Sequence, residues 1–146
     1  MFLGDYFQNI QSTYKKFFFS GISFNSSEIK KNNIFFAIKG NKIDGNDFIS
    51  SAISKGAKII VTEKKISGLK NGILFIRSNN IRKLLAEISF KINKKIPNNI
   101  IAVTGTNGKS SIADFYYQIL DLNNKKVASI GTLGVKSKKY NCCHWY

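Results

Sequence analysis

The sequence predicts an α/β protein, with a small α/β domain followed by the beginning of a parallel α/β domain of phosphate-loop type. Three observations carry that reading. Apolar runs of strand length, at Ile34–Ile38, Ala57–Thr62 and Gly72–Ile76, alternate with segments of helical periodicity, as expected when helices join mainly parallel strands. The polar stretch Asn93–Asn99 holds the only proline, Pro97, and reads as a linker. Beyond it, the apolar run Ile100–Thr104 enters a glycine-rich turn, Gly105-Thr106-Asn107-Gly108-Lys109-Ser110-Ser111.

Taken in order, Leu3, Phe7, Ile10, Tyr14, Phe17 and Phe18 fall near helical spacing, although Phe17-Phe18-Phe19 suits a strand equally well. Ile34–Ile38 reads as a buried strand stopped by Gly40. Asp47 is a suitable N-cap for a helix through Phe48, Ile49, Ala52 and Ile53, closed at Gly56. Strands at 57–62 and 72–76 follow. Asn80 then caps the clearest helix, in which Ile81, Leu84, Leu85, Ile88 and Ile92 form one apolar stripe. After the linker come a strand at 100–104, the glycine turn, a helix from about Ser110 to Leu122, and a strand at 127–130. The expected domains are therefore residues 1–96 and an incomplete second domain, 97–146.

With 146 residues, 43% of them hydrophobic and 13% aromatic, the chain can bury a core. Its apolar runs are too short to span a bilayer, and Met1–Asp5 lacks a basic leader region, so no membrane association is expected. The adjacent Cys142 and Cys143 offer no disulfide framework, which fits a cytoplasmic protein. The net charge of +15 comes almost wholly from scattered lysines, with Arg77 and Arg82 the only arginines. Base-reading proteins lean on arginine, whose planar fork pairs bidentately with guanine, so nucleic acid is not the expected partner. An acidic small molecule remains compatible with the charge.

The glycine turn carries specific chemistry. Glycines let backbone N–H groups approach phosphate oxygens, a lysine places a point charge on the β- and γ-phosphates, and the following hydroxyl can bind Mg²⁺. Gly105, Thr106, Asn107, Gly108, Lys109, Ser110 and Ser111 are thus the candidate ATP contacts, with Ser110 the candidate Mg²⁺ ligand. The early glycine of the longer pattern is missing, its place taken by Val103. A plain turn between strand and helix is the bland alternative, but such a turn has no need of a lysine followed by two hydroxyls.

Val103–Ser110 resembles the nucleotide loop of the Mur ligase family, ATP-dependent amide-forming ligases of peptidoglycan precursor synthesis, in which that early glycine is absent. Ile34–Ile49 and Gly56–Val61 are similar to the family's uridine-nucleotide-binding segment, and Ile130–Val135 to the branch adding the third amino acid. The resemblance spans about residues 22–140 and only the first third or so of a full-length member. It implies a UDP-binding first domain and an ATP-binding second one. The substrates implied are UDP-N-acetylmuramoyl-dipeptide and diaminopimelate, joined through an acyl phosphate by a monomer that needs ATP and Mg²⁺. The matching UDP contacts are Phe24 and Ser26, then Asn41, Lys42 and Ile43; Asn25 and Ser27 replace the acid and the arginine of the family's Asp-Ser-Arg motif.

Family members also carry a Mg²⁺-binding glutamate, a carbamylated lysine and a domain for the incoming amino acid, with no counterpart here. The carboxylates past Lys109 are Asp114 and Asp121, expected on the solvent side of the helix. No catalytic residue is identified, and the chain alone is expected to be inactive. Three adjacent ligands cannot wrap a tetrahedral ion, so Cys142-Cys143-His144 is not read as a zinc site; a shifted reading frame or an early end accounts better for the tail. Two other readings remain, a non-catalytic binding module for a UDP-sugar or nucleotide and a lysine-rich nucleic-acid binder.

Overall fold

The computed structural model of the protein describes residues 1–93, 97–132, 134–138 and 141–142. It divides into two compact units, Met1–Ile96 and Pro97–Tyr146. The first is built on a five-stranded sheet of β1 (Gly21–Ser23), β2 (Asn33–Phe36), β3 (Ile59–Thr62), β4 (Gly68–Lys70) and β5 (Ile73–Arg77). Their spatial order is β1-β2-β3-β5-β4, parallel except for the antiparallel edge strand β4. Ile34 lies beside Ile59, and Ile59 beside Leu74.

Alternate residues of these strands enter two cores, which is why β2 and β3 read as continuous apolar runs. Ile34, Phe36, Ile59, Val61 and Leu74 face Leu3, Phe7 and Phe19 from the N-terminal segment, with Ile81 and Ile88 of α3 (Ile81–Ile92). Phe35, Ile60 and Ile73 face Ile29, Ala57 and Ala52, the last on the short helix α2 (Ile49–Ser54). Each such buried Ile or Phe contributes roughly 1.5–3 kcal/mol relative to exposure. The Asn80 side chain accepts from the Lys83 N–H at 3.0 Å, capping α3 as its sequence predicts.

Two expectations for this unit fail for identifiable reasons. The segment 3–19 is not one helix: α1 covers only Leu3–Tyr6, and a 3₁₀ turn spans Ser12–Tyr14. The chain doubles back, and Leu3 N, Gly4 N and Phe19 N bond across the reversal to the carbonyls of Phe17, Lys15 and Met1, 11 or more residues away in sequence, which one continuous helix could not allow. Asp47 is not a cap either. It sits inside a 3₁₀ turn, Gly45–Phe48, whose cap is Asp44, with Oδ1 accepting from Asn46 N at 2.9 Å. Strands β1 and β4 have no apolar run in the sequence, because three residues at a sheet edge need none.

In the second unit, α4 (Lys109–Leu122) forms as expected, but residues 100–104 do not form a strand. Ile100 and Ile101 stay 67% and 60% exposed. A strand is stabilised by its neighbours, and no described strand lies beside this run. The strand expected at 127–130 is β6 (Ala128–Gly131), which pairs antiparallel with β7 (Gly134–Ser137), which in turn pairs with β8 (Asn141–Cys142). The parallel sheet thus belongs to the first unit. Part of the linker (94–96), Leu133 of the Ile130–Val135 motif, and Cys143 and His144 of the tail lie outside the described residues. Among the described residues no helix is long and apolar enough to cross a membrane.

Candidate functional sites

Because β1 and β2 are parallel neighbours, the loops that follow them emerge at the same, C-terminal edge of the sheet, where open α/β sheets bind ligands. Phe24 comes directly after β1 and is 55% exposed. Ser26 opens the 3₁₀ turn Ser26–Glu28. The Asn25 side chain, at the position of the family's acid, accepts from Ser27 N at 3.0 Å and from Ser27 Oγ at 2.7 Å, so these two residues brace the turn. Asn41, Lys42 and Ile43 form the exposed tip of the loop after β2. The fold therefore gathers all five predicted UDP contacts at one edge.

The second loop is held by a frame that sequence reasoning missed. Gly40 N bonds to Ile43 O at 2.9 Å, Gly45 N to Ile38 O at 3.0 Å, and Arg82 Nη2 reaches Lys39 O at 3.1 Å. Thr62, fully buried at the end of β3, donates to Asn46 Oδ1 at 2.6 Å. Gly45 is required by space: a Cβ there would meet Ile38 O at 2.5 Å and Ile38 N at 2.7 Å. Hydrogen bonds from the Asn46 backbone and side chain hold the Asp44 carboxyl below the usual carboxylate range, and Lys64 and Lys39 add to the effect. Lys39, Lys42, Lys64 and Arg82 make the surroundings of the tip basic.

In the second unit, Gly105 at φ +151° and Gly108 at φ +75° adopt backbone conformations that side chains disfavour, and Gly108 is the N-cap of α4. The loop residues Gly105, Thr106, Asn107, Lys109, Ser110 and Ser111 are all exposed. The Lys109 ammonium donates to Thr106 O at 3.0 Å and also to Gly105 O, so the cation lies along its own loop. Ser110 Oγ lies 3.1 Å from Thr132 Oγ1, in the turn between β6 and β7. In the sequence Thr132 stands out only as part of the Ile130–Val135 motif, with no role attached.

Asp114 and Asp121 are not on the solvent side. Asp114 accepts from Lys136 of β7 and, at 2.9 Å, from Gln118 Nε2, while Asp121 pairs with Lys138 at 3.3 Å. The Lys136 bond, with a smaller part from Gln118, holds the Asp114 carboxyl below its ordinary range against the opposing effect of burial. Both carboxylates tie α4 to the hairpin and its C-terminal end. Among the described residues no group of three His, Cys, Asp or Glu gathers as a metal cage. The donor set at the loop is the Ser110 hydroxyl, which fits a Mg²⁺ ion that takes most of its oxygens from phosphates and water.

A separate cavity of about 490 Å³ lies in the first unit between the 6–14 segment, β5 and α3. Tyr6, Tyr14, Arg77, Glu87 and Lys91 line it, and none of the predicted contacts does. Lys91 Nζ is already held by Tyr6 O at 3.2 Å.

A family model described as Mur ligase family, catalytic domain, matches residues 19–103. The UDP-N-acetylmuramoyl-L-alanyl-D-glutamate--2,6-diaminopimelate ligase of Rickettsia conorii is 41% identical over 128 residues, 88% of this chain and 26% of that protein. The chain thus spans about a quarter of the length of the curated relatives it matches. A solved structure of a ligase with that same name is similar in fold at TM-score 0.71 and 23% identity, covering 95% of this chain and 29% of the other. The MurF ligase of Thermotoga maritima, solved in complex with ADP, is 28% identical at TM-score 0.54, covering 72% of this chain and 23% of the other.

Proposed function

Because the chain belongs to the Mur ligase family, we propose that it supplies the substrate- and ATP-holding part of a ligase of peptidoglycan precursor synthesis. The reaction is addition of meso-2,6-diaminopimelate to UDP-N-acetylmuramoyl-L-alanyl-D-glutamate. In this reading residues 1–96 hold the UDP end. Phe24 offers an apolar surface, Ser26 a hydroxyl, and the Asn41-Lys42-Ile43 tip polar and cationic contacts for the diphosphate. Residues 97–146 hold ATP, with the backbone of Gly105–Gly108 and the N-terminus of α4 around the phosphates, Lys109 as the counter-charge and Ser110 toward Mg²⁺.

ATP supplies the phosphoryl group that activates the glutamyl carboxylate as an acyl phosphate, which the incoming amine then opens. The chain's own residues bind and orient: the lysine offsets crowded phosphate charge, and helix α4 adds its positive end. The observation that carries this reading is the loop itself, two positive-φ glycines leading through Lys109 into α4. A second reading, a nucleotide- and UDP-binding module without turnover, is favoured by the engagement of Asp114 and Asp121 in ion pairs with Lys136 and Lys138.

Titration calorimetry of the purified chain with UDP and with ATP·Mg²⁺ tests the proposal. Two independent sites, each saturable in the presence of the other ligand, are expected. Absence of ATP binding would sink the loop assignment, and mutual exclusion of UDP and ATP would sink the division into two sites.

A further inference from the structure

A serine in the first turn of a helix has a local alternative for its proton, a nearby backbone carbonyl. Ser110 uses a distant partner, its Oγ lying 3.1 Å from the Oγ1 of Thr132, 22 residues further along the chain. The contact is not isolated. One turn further along α4, Asp114 accepts from Lys136, so the hairpin is tied to the helix at two successive points. Ser110, Asp114, Thr132 and Lys136 line one small recess. That second tie holds the β6–β7 turn over the start of α4.

The consequence lies in where the Ser110 proton goes. A hydroxyl that binds a cation does so through its oxygen lone pairs, so its proton must be donated elsewhere. Thr132 Oγ1, 3.1 Å away, is placed to accept it. We infer that Thr132 is a positioning residue for the nucleotide loop: it takes the Ser110 proton and so turns the Ser110 oxygen toward the cation that accompanies the phosphates. The inference rests on the ATP reading proposed above. It assigns Thr132 no contact with ATP and no part in bond making. Its own hydroxyl proton stays free for water or a phosphate oxygen.

The test is the Mg²⁺ dependence of ATP binding to the full 146-residue chain, followed with a fluorescent ATP analogue. Thr132→Val keeps the shape and removes the acceptor; Thr132→Ser keeps the acceptor. Thr132→Val should raise the Mg²⁺ concentration for half-maximal binding about fivefold, as expected for one lost hydrogen bond, and leave metal-free affinity unchanged. Thr132→Ser should restore the wild-type Mg²⁺ curve. In a Ser110→Ala background, Thr132→Val should have no further effect on that curve. Equal loss of affinity with and without Mg²⁺, or failure of serine to rescue, would show a merely structural role and overturn the inference. A wild-type curve for Thr132→Val would overturn it as well. If the wild-type chain binds no ATP, the ATP reading fails and this inference falls with it; the other outcomes fell the Thr132 role alone.

Discussion

The ammonium of Lys109 donates to the carbonyl of Thr106 at 3.0 Å, so the cation of the phosphate loop is folded along the loop that it serves. This contact is exposed and adds little to stability. Triphosphate oxygens, as charged acceptors, would replace carbonyls in a stronger, charge-assisted set of bonds. Lys109→Ala should therefore weaken ATP binding by more than about tenfold, in line with loss of a charged hydrogen bond, while leaving the UDP dissociation constant and the melting temperature unchanged. Parallel titrations of both ligands check this; loss of UDP binding as well would mean that the two ligands share a site.

Gly45 is the second position where the sequence leaves one option. A Cβ there meets backbone atoms of Ile38 at 2.5 and 2.7 Å, and neither can swing aside as a side chain would. Gly45→Ala should cost about 1–3 kcal/mol, the usual range for overpacking, seen as a lower urea midpoint at unchanged slope. Because the same glycine holds the loop carrying Asn41, Lys42 and Ile43, UDP affinity should fall with it. A variant of wild-type stability with wild-type UDP affinity would show that the loop has slack.

How far these features were legible differs by element. The strands at 34–38 and 57–62 and the α3 helix were readable because burial on both sheet faces and a one-sided stripe leave direct periodic marks. The 3–19 segment misled because a chain doubling back on itself buries Leu3 and Phe7 and packs Ile10, Tyr14 and Phe17 against the same core, at a spacing that happens to mimic a helix. The 100–104 run misled for the opposite reason: apolar β-branched residues signal a strand only where a neighbour exists to pair with it. At the candidate sites, the loop glycines and Lys109 were visible as residue types. The Thr62–Asn46 bond and the Ser110–Thr132 pair were not, because long-range contacts between common polar residues leave no local pattern.

The Asp44 carboxyl sets a pH dependence whose sign follows from its bonds. Hydrogen bonds from Asn46 lower its folded-state pKa below the ordinary value of 3.8, so the folded state binds fewer protons than the unfolded one as pH passes through that region. Stability from this group is fully present above the ordinary value and is lost as pH falls through the folded one. Asp44→Asn should be less stable than wild type at neutral pH, and the difference should shrink as both are acidified below pH about 4. Urea midpoints measured from neutral to acid pH check it; a constant offset across the range would assign the effect to the cap's shape instead of its charge.

The last expectation concerns turnover. Amide formation through an acyl phosphate needs groups that hold the metal, the activated carboxylate and the incoming amine together in a dry site. Among the described residues, Asp114 is committed to Lys136 and Asp121 to Lys138, which leaves the Ser110 and Ser111 hydroxyls and Lys109 at the loop. In the proposed reading these groups hold the triphosphate, and none of them is assigned to the amine. The purified 146-residue chain should therefore bind ATP and UDP yet form no ADP when given UDP-N-acetylmuramoyl-L-alanyl-D-glutamate and diaminopimelate. A coupled assay for ADP, with both acceptor substrates present and then each omitted, decides it. ADP release that requires both substrates would mean that this chain completes the reaction by itself, and the ion-paired aspartates would then be the first residues to re-examine.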